Sequence, residues 1–130
     1  MARTPAQGER PLYWVASSRE DLLAMPRPVR RAVGLALSVA QFGGRHPAVK
    51  TLQGLGPGVV EIIANHNRNT YRAVYTINFP EVVYVLHVFQ KKSPTGRRMS
   101  RPDLGRVRTR IKAAREHYES QHGGAKKGEA

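Results

Sequence analysis

The 130-residue chain has no cysteine, few acidic residues and no long apolar run. The absence of cysteine excludes a disulfide scaffold and a thiolate metal site, and it is compatible with a reducing compartment. No apolar run approaches the roughly 18 residues that a membrane-spanning helix needs. Residues 1–11 lack the apolar segment of a secretory signal, so we expect a cytoplasmic protein that makes no membrane contact.

Acidic side chains number only 9, whereas lysine and arginine together number 22, and the formal net charge is +13. This excess predicts a polyanionic partner, and nucleic acid is the commonest one. Two other interpretations stay open, namely a basic solvated surface and an acidic protein partner that masks the charge. The five histidines show no metal-ligand spacing, so we predict neither a metal nor a cofactor.

The length fits one domain, which we place at residues 11–121 between disordered tails at 1–10 and 122–130. The predicted elements follow in the order β-α-α-β-β-β-α. They are a strand at 12–16, a helical hairpin at 17–43, strands at 59–64, 70–79 and 82–90, and a helix from about residue 100. This order predicts an α+β fold with a small antiparallel sheet and with the helices packed on one face.

Two segments repeat apolar residues at helical spacing, which predicts one buried stripe on each of two helices. The first stripe comprises Val29, Val33, Leu37 and Ala40, and the second comprises Leu104, Val107, Ile111, Ala114 and Tyr118. Gly43–Gly44 ends the first helix, and Ser100 with Asp103 is a plausible start for the second.

A tight turn at Pro80–Glu81 joins two strongly β-prone runs. If this turn is the centre of a hairpin, residue numbers across it sum to about 160, which places Arg72 opposite His87 to Phe89. Lys91 and Lys92 follow directly at the same end of the sheet. The hairpin therefore predicts a cluster of cations beside a histidine.

A second turn near Asn67 brings another strand next to Arg72. Glu61 then lies roughly opposite Arg72, and His66 lies in the turn toward the same basic end. Arg72 has two possible roles at this point. It either pairs across the strands with Glu61 or holds an anion.

Three segments together resemble the phage-derived HigB-like branch of the RelE/ParE toxin superfamily. They are "LQGLGPGVVEI" (52–62), "TYRAVYTI" (70–77) and "VVYVLHVFQKKSPTG" (82–96). The strand and helical hairpin that precede them fit the opening of the same family, so the resemblance covers about residues 12–118. It implies a RelE-like fold and a toxin of a type II toxin–antitoxin system.

RelE-like and HigB-like toxins are endoribonucleases that cut mRNA on the ribosome, and their antitoxin is usually a helix-turn-helix protein. The resemblance therefore implies a metal-free mRNA endoribonuclease. Its partners would be a helix-turn-helix antitoxin and ribosome-bound mRNA, with operator DNA contacted only through the antitoxin. ParE-like relatives share the fold but act on DNA gyrase, so two alternatives remain. One is a toxin that binds a protein target without cleaving RNA, and the other is an inactive co-repressor.

The resemblance also implies roles for individual residues. Arg72 matches the phosphate-binding catalytic arginine of the family, and Lys91 and Lys92 match the basic residues after its last strand. Relatives often carry a basic residue at the positions of Glu61 and Ile63, which are acidic and apolar in this chain.

RNA cleavage also needs a base for the 2′-hydroxyl and an acid for the leaving 5′-oxygen. We expect these groups to be His66, His87 or the two lysines. The basic face of the last helix comprises Arg106, Arg108, Arg110, Lys112 and Arg115. That face either follows a phosphate backbone, docks the antitoxin or is simply solvated.

Overall fold

The computed structural model describes residues 7–91 and 98–123. Its elements are β1 (Leu12–Trp14), α1 (Ser18–Leu23), α2 (Arg27–Gln41), β2 (Lys50–Thr51), β3 (Val59–His66), β4 (Asn69–Thr76), β5 (Val83–Lys91) and α3 (Arg101–Tyr118). One π-helical turn, Glu119–Gly123, continues α3. The predicted α+β class is confirmed, and the one strand that the prediction lacks is the two-residue β2.

Most of both predicted tails, residues 1–6 and 124–130, lies outside the described residues, as does the segment 92–97. Arg10, at the end of the predicted N-terminal tail, is bonded to the domain. Its backbone N–H donates to the Gln41 carbonyl at 2.8 Å, and its guanidinium donates to the Phe79 carbonyl at 3.4 Å. Among the described helices, none is long and apolar enough to cross a membrane.

The five strands form one sheet in the order β1-β5-β4-β3-β2. Strand β1 runs parallel to β5, and the other neighbours are antiparallel, so β3, β4 and β5 form the predicted meander. The β3–β4 turn consists of Asn67 and Arg68, whose φ angles of 48° and 66° are both left-handed. Two consecutive residues of this kind suit the right-handed twist of a hairpin.

Helices cover both faces of the sheet rather than the single face expected from the sequence. The face under α2, here called the α2 face, buries Val60, Ile62, Ala73, Val83 and Val85 against Val29, Val33 and Leu37 of that helix. The other face, here called the α3 face, buries Val59, Val74, Tyr84 and Leu86 against Val107, Ile111 and Ala114 of α3. The reason is visible in the strands, which are apolar at successive positions and so need cover on both sides.

Strand β5 contains a β-bulge opposite Val74. Val74 pairs with His87, whereas the next residue of β4, Tyr75, pairs with Val85, so that Leu86 is an extra residue on β5. Two successive residues of a bulge point to the same side of a sheet. Leu86 and His87 therefore both lie on the α3 face, and the alternation restarts from His87.

The bulge determines which side chains can form a site at the end of the sheet. Arg72 pairs with Phe89, within the predicted range of residues 87–89, and Lys91 pairs with Thr70 in the next row of the same face. Strict alternation from Leu86 would have placed Phe89 and Lys91 on the α2 face. The extra residue brings them to the same side of the sheet as Arg72.

Candidate functional site

A cleft of about 900 Å³ opens on the α3 face at this end of the sheet. Strands β4 and β5 form its floor, and α1 and the first turns of α3 form its walls. Its charged lining residues are Asp21, Arg72, Lys91, Arg98, Asp103, Arg106 and Arg110. The five cations exceed the two carboxylates, so the cleft suits an anionic ligand.

Arg72 lies on the floor, with only 4% of its surface exposed. Its guanidinium Nη1 is 3.5 Å from Oε2 of Glu61, which is buried diagonally across the β3–β4 pair. Burial raises the pKa of the Glu61 carboxyl above its ordinary value, although Arg72, Lys50 and Lys91 act in the opposite direction. The sequence alternative of an Arg72–Glu61 pair is therefore present, as a buried ion pair rather than a surface one.

His87 is the next buried polar residue on the floor, and both of its ring nitrogens have partners. Nε2 is 2.8 Å from Oδ1 of Asp103, and Nδ1 is 3.1 Å from Nη1 of Arg110. The ring also stacks on Phe89 with 4.4 Å between the ring centroids. Burial, joined by Arg110 and Arg106, lowers the pKa of His87 below its ordinary value, and the bond to Asp103 opposes this only in part.

Asp103 is placed by the start of α3. Ser100 is the N-cap, and its hydroxyl accepts the Asp103 backbone N–H at 3.2 Å and donates to Asp103 Oδ2 at 2.8 Å. The other carboxylate oxygen, Oδ1, is hydrogen-bonded to Nε2 of His87, and Arg106 donates to the same oxygen at 3.4 Å. Burial acts to raise the pKa of Asp103, but the bonds from His87 and Ser100 and the charge of Arg106 outweigh it and hold that pKa below its ordinary value.

Arg110 lies two turns further along α3 and reaches over the floor of the cleft. Besides contacting His87, its Nη1 donates to the Leu86 carbonyl at 3.0 Å, and its Nη2 is 3.5 Å from the Ser17 hydroxyl. Burial lowers the pKa of this guanidinium, and Asp21 on α1 acts against the shift. Arg110 thus connects α3 to the bulge of β5 and to the start of α1.

The cleft brings together three of the five residues predicted as catalytic, namely Arg72, His87 and Lys91. His66 is not among them. His66 is the last residue of β3 and follows Ile62 by four positions. Both side chains therefore lie on the same face of the sheet, which is the α2 face, opposite the cleft. Lys92, the fifth predicted residue, lies outside the described residues.

Sequence reasoning missed Asp103 and Arg110 as site residues, since it assigned Asp103 to a helix start and Arg110 to an outward basic face. A signal for them is present in the sequence. Asp103, Arg106 and Arg110 recur at helical spacing one position before the apolar stripe of Leu104, Val107 and Ile111, so they border the buried face. Arg108, Lys112 and Arg115 are exposed, as expected of the outward face.

Among residues 7–91 and 98–123, no group of three or more His, Asp or Glu side chains is arranged to hold a metal ion. The groups that converge in the cleft are guanidinium, ammonium, imidazole and carboxylate. This set can neutralise a phosphate and transfer protons.

Fold and cleft together define a small, strongly basic α+β protein with a cationic cleft at one end of its sheet. Residues 20–112 match the family described as phage-derived protein Gp49-like (DUF891), and the chain belongs to that family. The family is consistent with a toxin of a toxin–antitoxin system, which has an antitoxin as its partner. Comparison with the curated proteins and with the solved structures gives no match.

Proposed function

We propose that this protein is a toxin that cleaves mRNA on the ribosome as an endoribonuclease, using side-chain acid–base chemistry without a metal. The observation that carries the proposal is the meeting of Arg72, His87 and Lys91 in one cationic cleft. A volume of about 900 Å³ accommodates a nucleotide with its phosphate. The net charge of +13 supports attraction to a polyanion of any sequence.

The groups in the cleft match the three requirements of phosphodiester cleavage. Arg72 and the cleft arginines neutralise the scissile phosphate, for which the planar guanidinium is suited because it binds two oxygens. A base removes the proton of the 2′-hydroxyl, and the 2′-oxygen attacks phosphorus. The bond from phosphorus to the 5′-oxygen breaks, and Lys91 or the neighbouring Lys92 protonates that oxygen. The products are a 2′,3′-cyclic phosphate and a 5′-hydroxyl.

The family supports an antitoxin as the cellular partner. A cognate antitoxin of the helix-turn-helix class would neutralise the toxin by covering part of its basic surface. The toxin would then contact operator DNA only through that antitoxin. Exposed cations on the outer face of α3, such as Arg108 and Lys112, suit either an acidic antitoxin segment or the RNA of the ribosome.

Induction in a bacterial host, followed by mapping of mRNA 5′ ends, tests this function. We expect growth arrest within a few generations and new ends that keep the reading frame of translated messages. Blocking initiation of translation removes those ends if cleavage depends on the ribosome. Growth arrest with intact mRNA contradicts the nuclease assignment.

One observation favours a second candidate, a toxin that binds a protein target without nuclease chemistry. The buried Glu61 carboxyl lies 3.5 Å from Arg72 and reduces the positive charge available to a phosphate. Arrest with intact mRNA and relaxed or broken DNA would support this ParE-like function. Absence of arrest would instead support an inactive co-repressor.

A further inference from the structure

We propose that Nδ1 of His87 is the general base of the cleavage, that Asp103 sets its tautomer, and that Arg110 covers it until an RNA phosphate draws the guanidinium away. This inference rests on the proposed nuclease function and gives separate roles to individual residues of the cleft. It assigns roles to Asp103 and Arg110, to which the sequence analysis gave no part in a site.

The hydrogen bonds around His87 determine its protonation state. A guanidinium has only donors, so the 3.1 Å contact from Arg110 requires Nδ1 to be an unprotonated acceptor. Nε2 then carries the ring proton and donates it to Asp103 at 2.8 Å. The imidazole is therefore neutral, with its basic nitrogen on the side of Arg110. Burial favours the same neutral form, because it lowers the pKa of His87.

The ring has little freedom to leave this orientation. His87 is only 5% exposed, and it stacks on Phe89 from one side. Asp103 is itself fixed by the Ser100 N-cap, so the carboxylate that receives Nε2–H is held by the first turn of α3. A base held in one orientation by a carboxylate is the arrangement that acid–base catalysis uses in enzymes with a His–Asp pair.

Arg110 covers the basic nitrogen but has a stronger acceptor to move to. Its contact with Nδ1 is a bond from a charged donor to a neutral ring, whereas a phosphate offers it a charged acceptor with two oxygens. Of its other partners, Ser17 lines the same cleft, and Leu86 directly precedes His87 in β5. A substrate phosphate that recruits Arg110 therefore exposes Nδ1 next to the ribose of the same nucleotide.

In the proposed step one phosphorus–oxygen bond forms and one breaks. Nδ1 of His87 takes the proton of the 2′-hydroxyl, the 2′-oxygen forms a bond to phosphorus, and the bond to the 5′-oxygen breaks. The ammonium of Lys91 gives its proton to the 5′-oxygen. The imidazolium then returns its proton to solvent, and Lys91 regains one, so the enzyme ends in its starting state.

Several charged groups line the cleft around His87, and three of them, Asp103, Arg106 and Arg110 on α3, act on its pKa. Others are Asp21 on α1, Arg72 on β4 and Lys91 on β5. Glu61 on β3 occupies the same cross-strand row as His87 and is paired with Arg72. Of these groups, Asp103 and Arg110 touch the ring directly, so they are the ones to change.

The first test is an NMR titration of the His87 imidazole in the whole protein, which needs no cleavage. We expect Nδ1 to be the unprotonated nitrogen. Asp103→Asn should move the His87 midpoint to lower pH, because it removes a partner that favours the cation. Arg110→Ala should move the midpoint to higher pH, because it removes a repelling charge. The matched controls are Glu116→Gln and Arg108→Ala, which alter exposed residues of the same helix and should leave the midpoint unchanged.

The second test is the pH dependence of mRNA cleavage by the purified protein on programmed ribosomes. We expect the rate to rise with pH along an acid limb that matches the His87 midpoint, and we expect this limb to shift in opposite directions in the two variants. His87→Gln should reduce the rate about 10²- to 10⁴-fold. A limb that stays fixed while the NMR midpoint moves would overturn the assignment of His87 as base. Wild-type protein that never cleaves overturns the nuclease function itself, which is a separate result.

Discussion

Glu61 and Arg72 form a buried ion pair beneath the cleft, with 3.5 Å between Oε2 and Nη1. Glu61 is 6% exposed and Arg72 is 4% exposed, so neither charge is well solvated. Two further cations, Lys50 and Lys91, act on the same carboxyl, yet burial still raises its pKa. Glu61 therefore places a negative charge beneath a cleft whose proposed ligand is an anion. Burying this charge also costs desolvation free energy.

The pH dependence of the free energy of unfolding should reveal the raised pKa of the Glu61 carboxyl. Its pKa is raised on folding, so it is neutral in both states well below its ordinary value of 4.5. As the pH rises above that value, the unfolded chain ionises first, and the wild type should lose stability relative to Glu61→Gln. Each pH unit between the folded and unfolded pKa is worth about 1.4 kcal/mol.

Urea unfolding of the wild type and of Glu61→Gln at several pH values between about 4 and 7 measures this difference. Glu116→Gln removes an exposed carboxylate and is the matched control. A stability difference that is constant over this pH range, or that grows in favour of the wild type, contradicts the raised pKa of Glu61.

Arg72→Ala should abolish toxicity, because it removes the cation on the floor of the cleft. Arg72→Lys keeps the charge but loses the fork that binds two phosphate oxygens, so we expect about a tenfold or greater loss of cleavage. Growth after induction and mapped mRNA ends measure both effects. Arg31→Ala removes an exposed arginine of α2, on the face of the sheet opposite the cleft, and should remain toxic.

The substitution at Arg72 alters a buried residue, so folding must be measured alongside toxicity. A cooperative thermal transition by circular dichroism shows that the variant is folded. A folded Arg72→Ala protein that stays fully toxic would remove Arg72 from the site.

Ser100→Ala should destabilise the start of α3, because it removes the hydroxyl that caps the helix and contacts Asp103. Loss of such a cap costs about 1 kcal/mol of unfolding free energy. Urea unfolding measures the loss. Ser120→Ala, at an exposed position just after α3, is the control and should change stability by less than about 0.5 kcal/mol.

Ile111→Ala tests how firmly α3 is held on the sheet. Ile111 is 7% exposed and packs in the core on the α3 face, so truncation should cost about 2–5 kcal/mol. Because α3 carries Asp103 and Arg110, toxicity should fall with stability. Lys112→Ala, at the next and exposed position, should leave the stability unchanged. Equal stability of the two variants would mean that α3 contributes little to the core.

Much of the fold could be predicted from local patterns. The stripe of Val29, Val33, Leu37 and Ala40 is buried as expected, and so are Val107, Ile111 and Ala114 of the last helix. The hairpin register placed Arg72 within one residue of its true partner, Phe89, because a tight turn limits the possible pairings. Periodicity and turn position are local properties, and a single sequence carries them well.

The arrangement of the site needed information that is not local. An apolar run such as residues 82–86 gives no sign of the bulge at Leu86, since every residue in it suits burial on either face. The position of α3 on the second face decides that Asp103 and Arg110 meet His87, and that packing depends on contacts far apart in sequence. The same uniform apolarity of the strands was nevertheless a sign that both faces would be covered.

The bulge divides β5 into two segments with different structural roles. Before it, Val83, Tyr84 and Val85 are completely buried and hold the two cores together. After it, His87 to Lys91 border the cleft. Leu86 is the extra residue of the bulge, so the alternation of side chains between the two faces restarts after it. Substitutions at cleft-facing positions after it can therefore alter ligand preference while residues 83–85 keep their packing. A new specificity can thus be built onto this scaffold by redesigning the cleft-facing positions His87, Phe89 and Lys91, while Val88 stays in the core on the α2 face.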